Sequence, residues 1–276
     1  MGNDSNPCWI KYRITIPTIQ IILFFIIWLL TSKIFPTGKP YTCKPNGKVL
    51  YQSNFTGPFI QSDWNYEWNS YNQEIQTYTN TINENVYTLN NQLVIKAIKK
   101  NEKWTSARIR TKQGWNNFKA TITLKLDQLV PGAFPAVWMM PITENSMWPL
   151  DGEIDIFEYN KNFLKHTTTP QSLHFQDHHA ANSLMFAKVN YNISEFGSFT
   201  VECTSNSLRF YTNGILNGEY RRGRYSNHTD WPFSKNPFGL ILNYAIQPWF
   251  SNPVPVSISD LQMIVSNIVV TECIDE

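Results

Sequence analysis

The stretch that decides the fold class reads Ala120-Thr121-Ile122-Thr123-Leu124-Lys125-Leu126. Apolar and polar residues alternate strictly along it. Because a β-strand points successive side chains to opposite faces, the pattern predicts a half-buried strand. The same alternation returns between Asn91 and Ile98, and the Asn213-Gly214 pair predicts a hairpin turn. No long amphipathic helix follows the N-terminal region, so the sequence predicts an all-β sandwich.

Composition agrees with a single sandwich domain. Aromatic residues make up 14% of the 276 residues, more than a core of this size needs, and we expect several of them to line a cleft. About 230 residues are ample for one such core, and no internal repeat or second domain is visible. The net charge of +2 comes without a basic stripe, so no nucleic-acid partner is expected.

The chemistry is concentrated in Trp148-Pro149-Leu150-Asp151-Gly152-Glu153-Ile154-Asp155-Ile156-Phe157-Glu158. On a regular strand Glu153 and Asp155 share one face, whereas Glu158 falls on the other. A one-residue β-bulge at or near Ile156-Phe157 would bring Glu158 back beside the other two acids. Carboxylates this close cannot all ionise readily, so we expect at least one of them to have a raised pKa.

Two carboxylates in opposite protonation states are what glycoside hydrolysis requires: one protonates the leaving oxygen, and the other attacks the anomeric carbon or activates water. Their short spacing along one strand favours retention of configuration. The alternatives are a calcium site and a solvated strand face. We rank both below catalysis, because a calcium loop would supply Asn, Gly and carbonyl ligands rather than Ile-Asp-Ile-Phe.

This acid-bearing run resembles the signature of glycoside hydrolase family 16, in the bulged form found in laminarinase-like β-1,3-glucanases. The resemblance extends from Lys48 to Glu272, because further segments resemble those of the family in the same order. They are Asn72-Gln73-Glu74-Ile75-Gln76-Thr77-Tyr78-Thr79, Trp104-Thr105-Ser106-Ala107-Arg108-Ile109, the stretch 132–140, Leu173-His174, Trp231-Pro232-Phe233 and Leu240-Ile241-Leu242-Asn243.

The resemblance implies a β-jelly-roll of two antiparallel sheets, with the acids on the concave face of one sheet. It also implies a role for each acid. Glu153 would be the nucleophile, Glu158 the general acid/base, and Asp155 the residue that tunes the charge and position of the nucleophile.

Substrate-binding residues also follow from the resemblance: Trp138, Trp148, Arg108, Asn72, His174, Trp115 and Trp249. The first two would stack on sugar rings, Arg108 and Asn72 would bind sugar hydroxyls, and His174 would lie next to the acid/base. Trp115 and Trp249 would form rim subsites. The alternatives are a core position for Trp138, a structural ion pair for Arg108 and a structural role for His174. We predict no metal ligand and no cofactor; a structural calcium ion, which some relatives bind, is not predicted.

The predicted function is that of a retaining endo-acting hydrolase of β-1,3 or mixed-linkage glucan, working through a covalent glycosyl-enzyme intermediate. A transglycosylase would use the same acids. A non-catalytic β-glucan-binding protein is the second alternative, but such relatives typically lose catalytic carboxylates and this chain keeps all three. We expect a monomer that acts on polysaccharide.

The N-terminal region differs from the rest of the chain. Residues 14–32 carry no charge and are long enough to span a bilayer. No Ala-x-Ala-like cleavage site follows, so we predict an uncleaved transmembrane signal anchor over 14–34. A short tail (1–13) precedes it, and a linker (35–47) joins it to the catalytic domain (48–276). Secretion after signal cleavage is the alternative.

This topology would place the catalytic domain in the secretory lumen or outside the cell. Three Asn-x-Ser/Thr sequons, at Asn54, Asn192 and Asn227, would be usable there. Cys43 and Cys273 bracket the domain, and the terminal strands of a jelly roll often lie together, so these two could form a bridge in an oxidising lumen. The alternative is that all cysteines stay reduced, with Cys203 a small buried residue.

Overall fold

A computed structural model describes residues 43, 47–57, 61–79, 84–159, 170–176, 178–179, 183–186, 191–223, 230–247 and 253–274. Most of them lie in 17 β-strands, and short 3-10 helices occur at Gln61–Asp63 and Pro232–Ser234. The strands are β1 (Val49–Ser53), β2 (Trp64–Tyr66), β3 (Thr77–Tyr78), β4 (Val86–Leu89), β5 (Gln92–Lys100), β6 (Lys103–Ser106), β7 (Arg108–Thr111), β8 (Phe118–Leu126), β9 (Ala133–Pro141), β10 (Glu153–Glu158), β11 (Gln171–His174), β12 (Leu184–Phe186), β13 (Gly197–Cys203), β14 (Ser207–Thr212), β15 (Ile215–Arg221), β16 (Phe238–Ile246) and β17 (Asp260–Glu272).

The strands form two sheets, which confirms the predicted all-β sandwich. The larger sheet has ten strands and runs β15-β14-β13-β8-β17-β5-β6-β3, with β1 paired to β17 and β4 paired to β5. The smaller sheet has seven strands in the order β12-β11-β10-β9-β16-β7-β2. All pairings are antiparallel except that of β3 with β6.

The alternation of apolar and polar residues in the sequence corresponds to an alternation of buried and partly exposed residues in the structure. Along β8 every second residue is buried, and Ile122, Leu124 and Leu126 are fully enclosed between the sheets. The predicted Asn213-Gly214 turn joins β14 to β15, and both residues have the positive φ that such a turn requires. Truncating a fully buried aliphatic residue of this kind to Ala typically costs about 2–5 kcal/mol, so the strict pattern is a strong constraint on the fold.

A disulfide joins Cys43 to Cys273, with the Cα atoms 4.4 Å apart. Of the two alternatives that the sequence left open, the bridge is therefore present. Cys273 directly follows β17, and its backbone N–H donates to the Asn117 carbonyl oxygen. Cys203 is buried, and its thiol lies 3.6 Å from the carbonyl oxygen of Phe233. The bridge therefore fixes residue 43 against the ten-stranded sheet.

The predicted membrane anchor at residues 14–34 lies outside the described residues, as do the tail before it and most of the linker. Within the part of the chain that the structure describes, no helix is both long enough and apolar enough to cross a membrane. Asn54 and Asn192 are exposed, whereas Asn227 lies outside the described residues.

Candidate active site

The predicted β-bulge is present in β10. Ile154 and Asp155 pair with Met139 and Trp138 of β9, and the pairing then skips Ile156 and resumes with Phe157 opposite Val137. Glu158 stands opposite Ala136, which is on the same face of β9 as Trp138. The extra residue thus returns Glu158 to the face that carries Glu153 and Asp155.

Packing explains why the bulge forms at this point of the strand. Ile154, Ile156 and Phe157 are all fully buried in the core between the sheets. The Phe157 ring packs against Phe199 of β13, in the opposite sheet, with ring centroids 4.8 Å apart. Since two consecutive apolar residues turn inward, the next residue must turn outward. We call the outward surface the open face: the face of the seven-stranded sheet that carries Glu153, Asp155, Glu158 and, on neighbouring strands, Trp138 and Ser172.

Short hydrogen bonds hold the three acids together on the open face. The Ser172 hydroxyl lies 2.6 Å from Asp155 Oδ2 and 3.2 Å from Glu158 Oε2. His174 Nε2 lies 3.1 Å from the same Asp155 oxygen. Both residues come from β11, where Ser172 is opposite Asp155 and His174 is opposite Glu153. Asp155 is therefore the centre of the cluster, with Glu153 and Glu158 on either side of it along β10.

Proximity and burial change the protonation of these groups. Burial, followed by the charge of Asp155, raises the pKa of Glu153 to about 8. Burial and the charges of Asp155 and Glu153 raise the pKa of Glu158 well above its usual range. For His174, burial alone would lower the pKa, but the hydrogen bond to Asp155 and the surrounding carboxylates raise it to about 9. The cluster thus holds protons at neutral pH, as the sequence predicted for at least one acid.

The loop before β10 brings an indole to Glu153. Trp148 Nε1 donates to Glu153 Oε2 at 2.7 Å, and the indole is 48% exposed, so it can contact a ligand. Asp151 anchors the loop by accepting from the Met147 backbone N–H at 2.8 Å and from Lys235 Nζ at 2.9 Å.

Gly152 allows this loop to lie close to its neighbours. It has φ of +87°, and a Cβ there would lie 2.9 Å from Pro232 Cγ and 3.1 Å from a carbon of the Phe233 ring. A side chain at this position would therefore displace the loop that carries Trp148.

A second group of polar and aromatic side chains lies on the β16 and β7 side of the acids. Trp138 Nε1 donates to Asn243 Oδ1 at 2.7 Å, and Asn243 Nδ2 donates to the Tyr78 hydroxyl at 3.0 Å. The Arg108 guanidinium lies 4.2 Å from the centre of the Tyr71 ring and 4.7 Å from that of Trp138. These contacts place Trp138 and Arg108 side by side on the open face.

Arg108 also has the ion-pair partner that its sequence context allowed, since its Nε pairs with the Glu67 carboxylate. Asn72 lies on an exposed turn directly after Tyr71. This turn is held to the end of β16, where the Ile246 N–H donates to Gln76 Oε1 at 2.6 Å. Asn72 directly follows Tyr71, whose ring contacts the Arg108 guanidinium, and so lies at the same end of the open face as Arg108.

The interpretation of Trp115 as a rim subsite is wrong. Trp115 is only 3% exposed, belongs to the hydrophobic core, and packs against Tyr51 with ring centroids 5.9 Å apart. Its backbone bridges to Phe238 of β16, which fixes the indole inside the sandwich. The other rim candidate, Trp249, lies outside the described residues.

Sequence reasoning missed several residues of the site, among them Ser172, Asn243, Tyr71 and Glu67. Ser172 could have been found, because it lies two residues before His174 on a strand and therefore shares its face. Asn243 ended a segment that resembled the family, but nothing in its neighbourhood indicated a bond to an indole. Glu67 pairs with a residue 41 positions later, a contact that local pattern does not reveal.

One donor atom from each of Glu153, Asp155 and His174 lies within 4.8 Å of the others, close enough to be considered for a metal ion. We assign the cluster to acid–base chemistry, because Asp155 already contacts both Ser172 and His174 and has Glu153 and Glu158 on either side of it along β10.

Comparison with known proteins agrees with this geometry. No protein-family model matches the chain. It is 28% identical over 202 residues to a keratan-sulfate endo-1,4-beta-galactosidase of Sphingobacterium multivorum, covering 70% of this chain and only 47% of that relative. It is also 28% identical over 224 residues to a glucan endo-1,3-beta-glucosidase of Cryptopygus antarcticus, covering 71% and 79%. The laminarinase of Flavobacterium sp. UMI-01 superposes with a TM-score of 0.73 at 27% identity, over 82% of this chain and all of that one.

Proposed function

We propose that the chain is a glycoside hydrolase that cleaves β-1,3 or mixed-linkage β-glucan internally with retention of configuration, because it resembles the laminarinase-like branch of family 16. One observation carries the proposal: the bulge at Ile156 brings Glu158 onto the open face with Glu153, while Asp155 stays between them.

In the first step, the Glu153 carboxylate attacks the anomeric carbon while Glu158 gives its proton to the glycosidic oxygen. The leaving part of the glucan departs as an alcohol, and the remaining part stays bound to Glu153 as an ester. In the second step water attacks the anomeric carbon, Glu158 takes the proton of that water, and Glu153 is released. Atoms and charge balance without a cofactor.

The contacts of each acid support this assignment of roles. Protonated His174 and the hydrogen bond from Trp148 favour the anionic form of Glu153, but burial and Asp155 outweigh them and hold its pKa at about 8, so attack by the carboxylate should be fastest at alkaline pH. Glu158 is surrounded by the charges of both other acids, which favour its protonated form. Asp155 is engaged by Ser172 and His174 and is positioned to influence both neighbours.

Trp148 and the partly buried Trp138 would form the sugar-binding surface, because an indole offers a large rigid area for the apolar face of a sugar ring. Arg108 is only 8% exposed, and its contacts with Glu67 and Trp138 favour a role in supporting the Trp138 indole. Trp148 lies on one side of the acids, and Trp138 lies on the other. A glucan that crosses the strands would therefore have protein groups on both sides of the bond that is cleaved, as endo-action requires.

The test uses the full chain in detergent with laminarin, mixed-linkage glucan, galactan and keratan sulfate as substrates. Product sizes and the anomer formed first would be followed by chromatography and proton NMR. We expect shorter oligosaccharides of β-configuration from laminarin, no products from Glu153→Gln, and unchanged products from Glu202→Gln, a matched acid on the other sheet. Larger products would mean transglycosylation. Cleavage of keratan sulfate or galactan alone would show that the substrate is a galactose-containing polysaccharide and not the proposed glucan. Sugar binding without turnover would show that the chain is a binding protein and not an enzyme.

We also propose that residues 14–34 anchor the catalytic domain in a membrane, with the domain in the secretory lumen or outside the cell. The Cys43–Cys273 disulfide supports this, because such bonds persist in oxidising compartments. The exposure of Asn54 and Asn192 is compatible with glycosylation. Retention in the membrane pellet after alkaline carbonate extraction, together with a mobility shift on endoglycosidase treatment, is the expected result; release by carbonate would contradict the anchor.

A further inference from the structure

Two buried side-chain amides lie on the core side of the β10 bulge. Gln171 of β11 is fully buried, and Asn217 of β15 is 2% exposed. They connect the two sheets through a region that is otherwise apolar. Burying an amide is unfavourable unless its donors and acceptor are bonded, so a pair of this kind in the core calls for a specific explanation.

The hydrogen bonds of the pair use both hydrogens of each amide. Gln171 Nε2 donates to the Ile156 carbonyl oxygen at 2.9 Å and towards that of Tyr211 at 3.3 Å. Asn217 Nδ2 donates to Gln171 Oε1 at 2.6 Å and to Thr212 Oγ1 at 2.8 Å. The chain of bonds therefore runs from the β14–β15 hairpin of the ten-stranded sheet to the bulged residue of β10.

Ile156 is the residue that needs such a partner. It is skipped in the pairing of β10 with β9, and the pairing of β10 with β11 ends at Asp155. The backbone of a bulged residue is left out of the ladder, and Ile156 is fully buried, so water cannot replace the missing bond. The Gln171 amide supplies a donor for the carbonyl oxygen at this point.

Consecutive residues of one chain segment hold the bulge from both sides. On the core side Gln171 binds the Ile156 carbonyl oxygen, and on the open face Ser172 binds the Glu158 carboxylate. The residue before them, Pro170, accepts from the Glu158 backbone N–H at 3.3 Å. The position of Glu158 thus depends on contacts to both its side chain and the backbone that precedes it.

We propose that Gln171 and Asn217 are positioning residues that fix the bulge at Ile156 and thereby hold Glu158 where it can give its proton to the glycosidic oxygen. This inference rests on the proposed function, because it concerns the acid/base of that reaction. Gln171 acts directly on the bulge, and Asn217 acts by fixing the orientation of the Gln171 amide.

The test compares four variants of the full chain in detergent: Gln171→Leu, Asn217→Leu, the double variant Gln171→Leu/Asn217→Leu, and Asn85→Leu as a matched control. Asn85 is also fully buried and donates to the Lys96 carbonyl oxygen at 3.0 Å, but in the ten-stranded sheet. Because a displacement of about 1 Å at a reacting group can cost about 10²-fold in rate, we expect Gln171→Leu to lower kcat by about 10²-fold with little change in KM. The loss should be smaller for Asn217→Leu and absent for Asn85→Leu.

The double variant separates positioning from stability. Removing one amide leaves the other with an unsatisfied buried group, whereas removing both leaves an apolar pair. The melting temperature of the double variant should therefore recover relative to Gln171→Leu, while kcat stays low because Ile156 still lacks its donor. If kcat follows the melting temperature across all four variants, including Asn85→Leu, the two amides are merely structural and the inference is overturned.

A second readout does not depend on turnover. The Glu158 carboxyl would be titrated by carbon-13 NMR in the parent chain and in Gln171→Leu, with Glu158→Gln to assign the signal. If the bulge relaxes in Gln171→Leu, Glu158 should move away from Asp155 and Glu153. The pKa of Glu158 should therefore fall in Gln171→Leu and stay unchanged in Asn85→Leu. Identical titration in the parent and Gln171→Leu would overturn the inference. A parent chain that cleaves no polysaccharide would instead sink the proposed function, and the titration would still decide the positioning.

Discussion

The two sheets each carry a polar outward face, and the two faces arrange their charges in opposite ways. On the ten-stranded sheet, Glu219, Arg209, Glu202 and Lys119 follow one another across four neighbouring strands. Their signs alternate, and two of the steps are ion pairs, of 2.7 Å between Arg209 and Glu219 and 3.0 Å between Lys119 and Glu202. Every charge on this line has an opposite charge beside it.

On the open face, by contrast, like charges lie side by side along a single strand. Among the residues that the structure describes, His174 is the one cationic side chain in direct contact with Glu153, Asp155 and Glu158. It pairs with Asp155, and the pKa values of Glu153 and Glu158 are raised. The order of positive and negative charges, rather than their number, therefore distinguishes a stabilising polar face from one that can transfer protons.

The largest effect should come from neutralising one acid of the open face. Glu153→Gln removes the proposed nucleophile and should lower turnover by about 10⁴-fold or more. Folded Glu153 must take up a proton that the unfolded chain has lost, whereas Gln needs none, so the free energy of unfolding at neutral pH should rise. Turnover assays and urea denaturation check both expectations. A variant that is inactive and also less stable than the parent would contradict the idea that burial and the neighbouring acids hold Glu153 protonated.

The pH dependence of stability should also differ from that of an ordinary protein. Between the unfolded pKa of Glu, about 4.5, and the folded value of about 8, folded Glu153 holds a proton that the unfolded chain has lost. His174 does the same between about 6.5 and about 9. The folded state therefore binds more protons in this window, and the free energy of unfolding should fall as the pH rises through it, by up to about 1.4 kcal/mol per pH unit for each of the two groups.

Denaturation curves at acidic, neutral and alkaline pH measure this slope. Glu153→Gln should flatten its lower part and His174→Gln its upper part. A free energy of unfolding that increased from about pH 5 to about pH 9 would show that the acids are not held protonated in the folded state.

A smaller effect should follow from removing a single hydrogen bond of the open face. Trp148→Phe keeps an aromatic ring but removes the donor to Glu153 Oε2. Loss of a hydrogen bond to a charged group should lower kcat/KM by about tenfold and move the acidic limb of its pH profile to higher pH, because the Glu153 anion is less stabilised. An unshifted profile with only a raised KM would mean that Trp148 acts by stacking alone.

The smallest effect is expected on the other face. Glu202→Gln removes one partner of the 3.0 Å ion pair with the half-exposed Lys119, and keeps an acceptor for the Tyr211 hydroxyl. We expect a loss of about 1 kcal/mol in the free energy of unfolding and no change in turnover. Turnover reduced along with stability would indicate that the two faces are coupled through the core.

Much of the fold and of the acid cluster follows from the sequence, because both depend on the parity of side chains along a strand. Alternation predicted β8, and the misplaced Glu158 predicted a bulge that the structure places at Ile156. Parity does not predict which residue of another strand a side chain will contact. Gln171 and Asn217 are 46 residues apart, and their contact exists only because two sheets pack face to face.

Trp115 shows a second limit of sequence reasoning. The family resemblance suggested a rim subsite for Trp115, and its neighbours Gly114, Asn116 and Asn117 are small or polar. The structure buries it because its backbone pairs with Phe238 and thereby directs the side chain inward. Local polarity describes the chain next to a residue, whereas burial depends on the elements packed above it.

The Cys43–Cys273 disulfide determines how a pulling force passes through the domain. Residues 44–272 lie inside a covalent ring that this bond closes. A pull applied to the chain before Cys43 and after Cys273 would pass through the bond without stretching the segment that carries the acids. If residues 14–34 hold the chain in a moving membrane while the open face grips a polysaccharide, the tether would load the end of β17, and the seven-stranded sheet would bear only the force transmitted by the substrate itself.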